Sequence, residues 1–251
     1  MMRHVLGSRA SIGGVLGSGR GGAGGNGLLT GLVAYWGLDE ASGNALDKHS
    51  GGLTLTANNA PGTDTGKVYA TSRTFSAASN QYFSRASEAA TQTGDINFAV
   101  AAWVYISTIP SASEYPGIIT KDIAGAREFH LLLNGDSKRF NFTLPGLGLA
   151  VATTYGEPPT GQWIFVAGWH DTTADTVNIS VNNGAVDSAA RTGTPTTTAA
   201  PLEIGRDYAT QTRILKGRLG PVAYWKNRIL SADDRAALWN GGAGLAYSAF
   251  S

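Results

Sequence analysis

Apolar and polar positions alternate with a period of two along most of this chain. Leu32, Ala34, Trp36 and Leu38 share one face of the stretch 32–38, which predicts a strand. In 97–106, Phe98, Val100, Ala102, Val104 and Ile106 form one face, and Ala99, Ala101, Trp103 and Tyr105 form the other. Both faces are apolar, as in a central strand covered on two sides. Stretches 129–133 and 140–144 flank Asn134-Gly135-Asp136, a hairpin signal, and Val177, Ile179 and Val181 run into a second one at Asn182-Asn183-Gly184. Further strands are predicted at 162–169, 185–190, 201–205 and 217–225. One helix is expected near the end. Ser231 caps it, Asp233 and Asp234 suit its positive end, Ala236 to Trp239 build it, and Gly241 stops it. Many short strands without a β-α-β rhythm predict an all-β sandwich or jelly roll. No internal repeat and no second core are visible in the pattern.

Composition sharpens this picture. Of 251 residues, 42% are hydrophobic but only 15% are charged, so Ser, Thr, Asn and Gly must finish the surface, as in a turn-rich β fold. The net charge of +1 provides no footprint for nucleic acid or anionic lipid. The absence of cysteine excludes disulfides, thiolate metal sites and cysteine nucleophiles, and leaves the compartment open. No apolar run reaches the ~18 residues of a membrane span.

Residues 1–27 differ from the rest: ten of the 27 are glycine, and the first acid in the chain is Asp39. Ordering such an arm costs on the order of 1–2 kcal/mol per residue. It has few large side chains to offset that, so contacts outside the arm must do so. The expected division is an N-terminal arm, 1–27, and one sandwich domain, 28–251. Arg3, Arg9 and Arg20 provide the arm with positive charge, and Val5, Leu6, Ile12, Val15, Leu16, Leu28 and Leu29 are its expected apolar anchors. Three arginines among glycines are too few for a nucleic-acid footprint. A neighbouring protein, or a second copy of this chain, is the expected partner. The first 22 residues lack the continuous apolar stretch of a secretory signal.

Four blocks, in order, resemble laminin-G-like, concanavalin A-like jelly-roll domains: Leu32-Val33-Ala34-Tyr35-Trp36-Gly37-Leu38-Asp39-Glu40-Ala41-Ser42-Gly43; Gly94-Asp95 with Ala102-Trp103-Val104; Gly161-Gln162-Trp163 with Val166-Ala167-Gly168; and Gly217 to Val222 with Leu230-Ser231-Ala232 and Leu238 to Gly242. They span about 28–243. The resemblance implies two antiparallel sheets, one of them concave. It implies binding or adhesion rather than catalysis, glycan or protein partners, and in many members a structural calcium ion. Gly220-Pro221 stands where relatives often carry Asp-Glu, so one acidic contribution to such a site is missing.

Candidate chemistry is sparse. Asp39, Glu40 and Asp47 are hard oxygen ligands in one loop and the candidates for calcium, Asp39 and Asp47 foremost. His4, His49, His130 and His170 are scattered, with no pair at metal spacing. Trp169-His170-Asp171 and Arg206-Asp207-Tyr208 offer an aromatic face with hydrogen-bonding neighbours, the chemistry of sugar contacts. Hydrolase signals are absent: there is no Glu-x-Asp-x-x-Glu run and no Gly-x-Ser-x-Gly elbow, and Glu128 and Glu203 stand alone in their strands. The resemblance implies a fold normally displayed outside cells, yet no secretory signal is visible. A virus particle reconciles the two, and similar jelly rolls occur among phage structural proteins. The expectation is therefore a non-enzymatic phage virion protein, of the capsid-decoration or fibre type. It would display a glycan-binding jelly roll and be anchored by its arm to other virion proteins. A bacterial extracellular carbohydrate-binding or adhesion module and a glycoside hydrolase are the alternatives.

Overall fold

A computed structural model of the protein describes Met1 and residues 27–50, 52–208 and 213–251. The arm positions Arg3, Val5, Leu6, Arg9, Ile12, Val15, Leu16 and Arg20 lie outside the described residues. In chain order the strands are β1 (Leu32–Trp36), β2 (Thr56–Asn58), β3 (Gly62–Thr65), β4 (Thr71–Phe75), β5 (Tyr82–Arg85), β6 (Phe98–Ile106), β7 (Gly117–Ile123) and β8 (Ala126–Asn134). There follow β9 (Arg139–Leu144), β10 (Gly148–Val151), β11 (Trp163–Asp171), β12 (Thr176–Val181), β13 (Val186–Ala190), β14 (Leu202–Ile204) and β15 (Gly217–Lys226). They form two antiparallel sheets. The first runs β13-β12-β11-β6-β15-β4-β3, with β1 also on β15; the second runs β10-β9-β8-β7-β14-β5-β2.

The core between the sheets takes the alternate residues that the pattern assigns to it. Phe98, Val100, Ala102, Val104 and Ile106 of β6 meet Phe129, Leu131 and Leu133 of β8 and Phe140, Phe142 and Leu144 of β9. At Gly168 of β11 the sheets come so close that an added Cβ would lie 2.5 Å from the Phe142 ring. Only a residue without a side chain fits there.

The other face of β6 is also buried, as its apolar residues predict, against a second apolar cluster. Ala99, Ala101 and Trp103 pack there with Tyr35, Phe165, Trp169, Trp225, Leu238 and Phe250. Helix α1 (Ala232–Trp239) and the residues after it cover this outer face of the first sheet. Helix α1 has the expected capping box. The Asp234 N–H donates to Ser231 Oγ at 3.1 Å, and the Ser231 N–H donates to Asp234 Oδ2 at 2.9 Å. It ends at Asn240 and the expected Gly241, both in the left-handed conformation.

Two expectations for the first strand change. A bulge between Leu32 and Ala34 in the pairing with β15 shifts the alternation, so Leu32 joins the outer cluster while Ala34, Trp36 and Leu38 stay in the core. Leu28, expected among the arm's anchors, is fully buried in its own domain, and Trp225 Nε1 donates to its carbonyl at 2.8 Å. Among the described residues no helix is long and apolar enough to cross a membrane.

Candidate functional site

The loop after β1 holds the residues expected to bind calcium. Asp47 is 5% exposed and ends up as the acceptor at the centre of its own loop. Its Oδ1 accepts from the N–H groups of Tyr35 and His49, at 3.1 and 2.9 Å. Its Oδ2 accepts from the Ser50 N–H at 3.2 Å, the Leu53 N–H at 3.4 Å and the Ser50 hydroxyl. Burial pushes the Asp47 carboxyl up, but these donors outweigh it and hold the group below the usual carboxylate range. Asp39 pairs with Lys48 at 2.8 Å, and Glu40 accepts from the Leu46 N–H at 2.8 Å. Calcium needs six to eight oxygens. Here Asp47 is committed to N–H and O–H donors and Asp39 to an ammonium group, so these residues do not fit that ion.

The two triplets expected to contact sugar lie on opposite sides of the sandwich. Trp169 is 5% exposed in the outer cluster, with the Arg235 guanidinium 4.6 Å above its ring. His170 is fully buried, and its Nδ1 lies 2.9 Å from the Ile96 carbonyl oxygen. A carbonyl only accepts, so the proton is on Nδ1; burial pushes this imidazole below its ordinary range. Asp171 accepts from the N–H groups of Thr173 and Ala174 and so closes the turn between β11 and β12. The first triplet is therefore architectural, because the sheet's alternation turns Trp169 and His170 into two apolar layers. In the second triplet, Arg206 pairs with Glu203 and lies 3.3 Å from the Tyr82 ring centre. Tyr208 is half-buried in a left-handed backbone conformation. Asp207 is fully buried and leads to the feature that local sequence reading missed.

That feature is the outer face of the second sheet. Phe129, Leu131 and Leu133 point into the core, so His130 and Leu132 point out; by the same alternation Asn141 and Thr143 of β9 point out. An open groove of about 270 Å³ runs over them. Tyr115, Arg127 and Arg213 also wall it, and Pro145 and Leu149 add apolar surface. The Tyr115 hydroxyl donates to Asp136, and the Arg213 guanidinium sits 5.0 Å from the Tyr115 ring. Beside and beneath the groove, Arg213 Nη1 lies 2.6 Å from Asp207 Oδ2, Arg127 Nε 3.2 Å from Asp122 Oδ1, and His130 Nε2 3.2 Å from Asp122 Oδ2. Burial raises both carboxyls. In Asp122 the neighbouring His130 and Arg127 outweigh it and the group ends low; in Asp207 burial prevails and the group ends high.

A larger groove of about 520 Å³ follows the first sheet past Tyr105, Lys216 and Arg218. Its charges are already paired: Arg218 with Asp64 at 3.2 Å, and Lys216 with Glu114 at 2.7 Å.

Residues 76–234 match the family model of the concanavalin A-like lectin/glucanases superfamily. The chain belongs to this superfamily. Among curated proteins none matches it. Solved structures share the fold at low identity. Domain 4 of AbnA, a GH43 extracellular arabinanase from Geobacillus stearothermophilus, in complex with arabinotriose, is 12% identical with a TM-score of 0.54. That match covers 81% of this chain and 96% of that one. The binding domain of Paraclostridial Mosquitocidal Protein 1 is 10% identical with a TM-score of 0.65, over 86% of this chain and 53% of that one. A Trypanosoma rangeli sialidase in complex with 2,3-difluorosialic acid is 14% identical with a TM-score of 0.64, over 92% of this chain and 36% of that one. This concanavalin A-like chain therefore spans about half of the second structure and about a third of the third.

Within the concanavalin A-like sandwich, Glu128 and Glu203 are each held in an ion pair. Glu128 pairs with Lys121 at 2.9 Å, both side chains fully buried, and also accepts from the N–H groups of Thr93 and Thr198 at 2.8 and 2.7 Å. Lys121 donates further to the Ala200 carbonyl at 2.6 Å and Ser87 Oγ at 2.8 Å. This pair ties two loops to β7 and β8. Glu203 is held by Arg206.

Proposed function

We propose that this chain is a non-catalytic carbohydrate-binding jelly roll serving as a phage virion protein of the capsid-decoration or fibre type. The sugar lies in the groove over β8 and β9, and residues 1–27 fasten the domain to other virion proteins or to copies of itself. The observation that carries the sugar reading is the groove itself. It sets an aromatic ring, Tyr115, and the apolar Leu132 and Leu149 beside Asn141, Arg127 and Arg213. Sugar sites combine these features: apolar surface for the ring face, and amide and guanidinium groups for the hydroxyls. The likeness to a domain solved with arabinotriose supports the same reading. The commitment of Glu128 and Glu203 to buried cations supports the absence of hydrolysis. The glycine-rich, acid-free composition of residues 1–27 supports an arm that gains order on a neighbour.

Screening the full chain against immobilised glycans, with arabino-oligosaccharides and sialylated glycans among them, tests the first part. Binding to at least one glycan that falls about tenfold or more in Tyr115→Ala is expected; binding that ignores this substitution refutes it. Deleting residues 1–27 tests the second part. The domain should stay folded and lose incorporation into particles. The likeness to a domain of an extracellular enzyme favours a second reading, a bacterial extracellular binding module. It predicts a self-sufficient monomer whose sugar binding is indifferent to the deletion.

A further inference from the structure

At the edge of the groove three side chains that ligate metals meet. Asp122 of β7, His130 of β8 and Asp207 of the loop after β14 each offer one ligand atom, and these atoms all lie within 4.8 Å of one another. The residues are 2%, 6% and 0% exposed. Carboxylates tolerate such burial only when their oxygens are satisfied. Arg213 satisfies Asp207 Oδ2, at 2.6 Å. Arg127 and His130 approach Asp122 to 3.2 Å. Even so, both Asp122 oxygens, Asp207 Oδ1 and His130 Nε2 lack a partner in hydrogen-bonding geometry. Asn141 of β9 is a further buried polar group on this face. It is 3% exposed, lines the same groove as His130, and its Oδ1 is also unpartnered. Its pairing partner in β8 is Leu132, two residues from His130 on the same face.

One positive ion would satisfy several of these atoms at once. We infer that Asp122, His130 and Asp207 bind a divalent transition-metal ion of the zinc or manganese type. The donor set selects the class of ion. An imidazole nitrogen beside carboxylate oxygens suits zinc or manganese, whereas calcium takes oxygen ligands alone. Arg213, by holding Asp207 Oδ2, leaves Oδ1 for the metal and orients the carboxylate as an outer partner does. Three protein ligands leave a coordination position for water or a ligand hydroxyl. Because His130 and Asn141 also line the groove, that position serves whatever occupies it. The inference stands whether or not the occupant is a sugar.

The test uses the untagged full chain, stripped with a chelator and desalted, then titrated separately with Zn²⁺, Mn²⁺ and Ca²⁺ by calorimetry and thermal melting. Zn²⁺ or Mn²⁺ should bind at about one ion per chain and raise Tm by about 5–10 °C at saturation, while Ca²⁺ does neither. His130→Gln and Asp207→Asn should each weaken binding about 100-fold or more with an unchanged near-ultraviolet circular dichroism spectrum. If either variant does not fold, Co²⁺ added to the unaltered protein provides the readout, as a visible absorption band that Zn²⁺ abolishes. Metal content far below one ion per chain, Ca²⁺ binding in place of the transition ions, or binding undiminished in a folded His130→Gln protein overturns the inference.

Discussion

Replacing Asp47 by alanine removes one acceptor that serves four backbone N–H groups and a hydroxyl. The N–H groups of Tyr35 and Leu53 belong to buried residues, 2% and 6% exposed, and have no water to turn to. Each buried donor left unpaired costs about 1–3 kcal/mol. Those of His49 and Ser50 lie nearer the surface and can be rehydrated, at a smaller cost. The sum is about 4 kcal/mol for Asp47→Ala. Asp47→Asn should lose about half of that, since its single carbonyl oxygen keeps some of the donors. Urea unfolding followed by tryptophan fluorescence reads this directly as a lower midpoint at constant slope. The loss should also depend on pH. The Asp47 carboxyl is held low in the folded state, so the unfolded chain binds its proton first. The stabilisation is complete above the unfolded carboxyl's pKa of about 3.9 and fades as pH falls through the lower folded value. Asp47→Asn should flatten that acid limb. A loss under about 1 kcal/mol for alanine, or an acid limb unchanged in the asparagine variant, would refute the view of Asp47 as the loop's organising acceptor.

Other consequences are as specific. Lys121→Met leaves Glu128 buried without its cation and should cost about 3–5 kcal/mol in the same urea assay; adding Glu128→Gln should recover part of the loss. Gly168→Val drives a side chain into the Phe142 ring and should destabilise by at least about 2 kcal/mol, with no loss expected only if the sheets can move apart. His170 is kept neutral by burial, so the unfolded chain takes up its proton first as pH falls below about 6.5. Stability should therefore drop between pH 7.5 and 5.5, and more steeply than in His170→Asn; equal slopes would show that another group sets the limb.

The strands with apolar alternation were legible in the sequence because each buries one or both faces. β6 is the clearest case, its two residue sets going to the two apolar clusters. The capping box at Ser231 was equally legible, because it is local. Strands β2 and β3 were not: Thr56–Asn58 and Gly62–Thr65 lie at sheet edges and bury little. β7 was hidden because its Lys121 and Asp122, polar residues that suggest a surface turn, are buried through partners distant in the chain. The bulge after Leu32 defeated a strict period of two.

The candidate site was the least legible part. His130 and Asp207 were each in view, one as an isolated histidine and the other as a sugar contact. The order β8-β7-β14 brings them together across more than seventy residues of chain, which a local window cannot show. A trace was present in Phe129-His130-Leu131 and Phe140-Asn141-Phe142. A polar residue between two core-facing aromatic or aliphatic ones marks the outer face of a strand in both.

On the proposed function, a sugar occupies the outer face of the second sheet. Mapping backbone amide shifts by nuclear magnetic resonance during titration with the best-binding oligosaccharide tests it most directly. Perturbations are expected to gather on Tyr115, Arg127, Asn141, Thr143 and Arg213. Perturbations centred instead on Tyr105, Trp163 and Arg218 of the first sheet would contradict it.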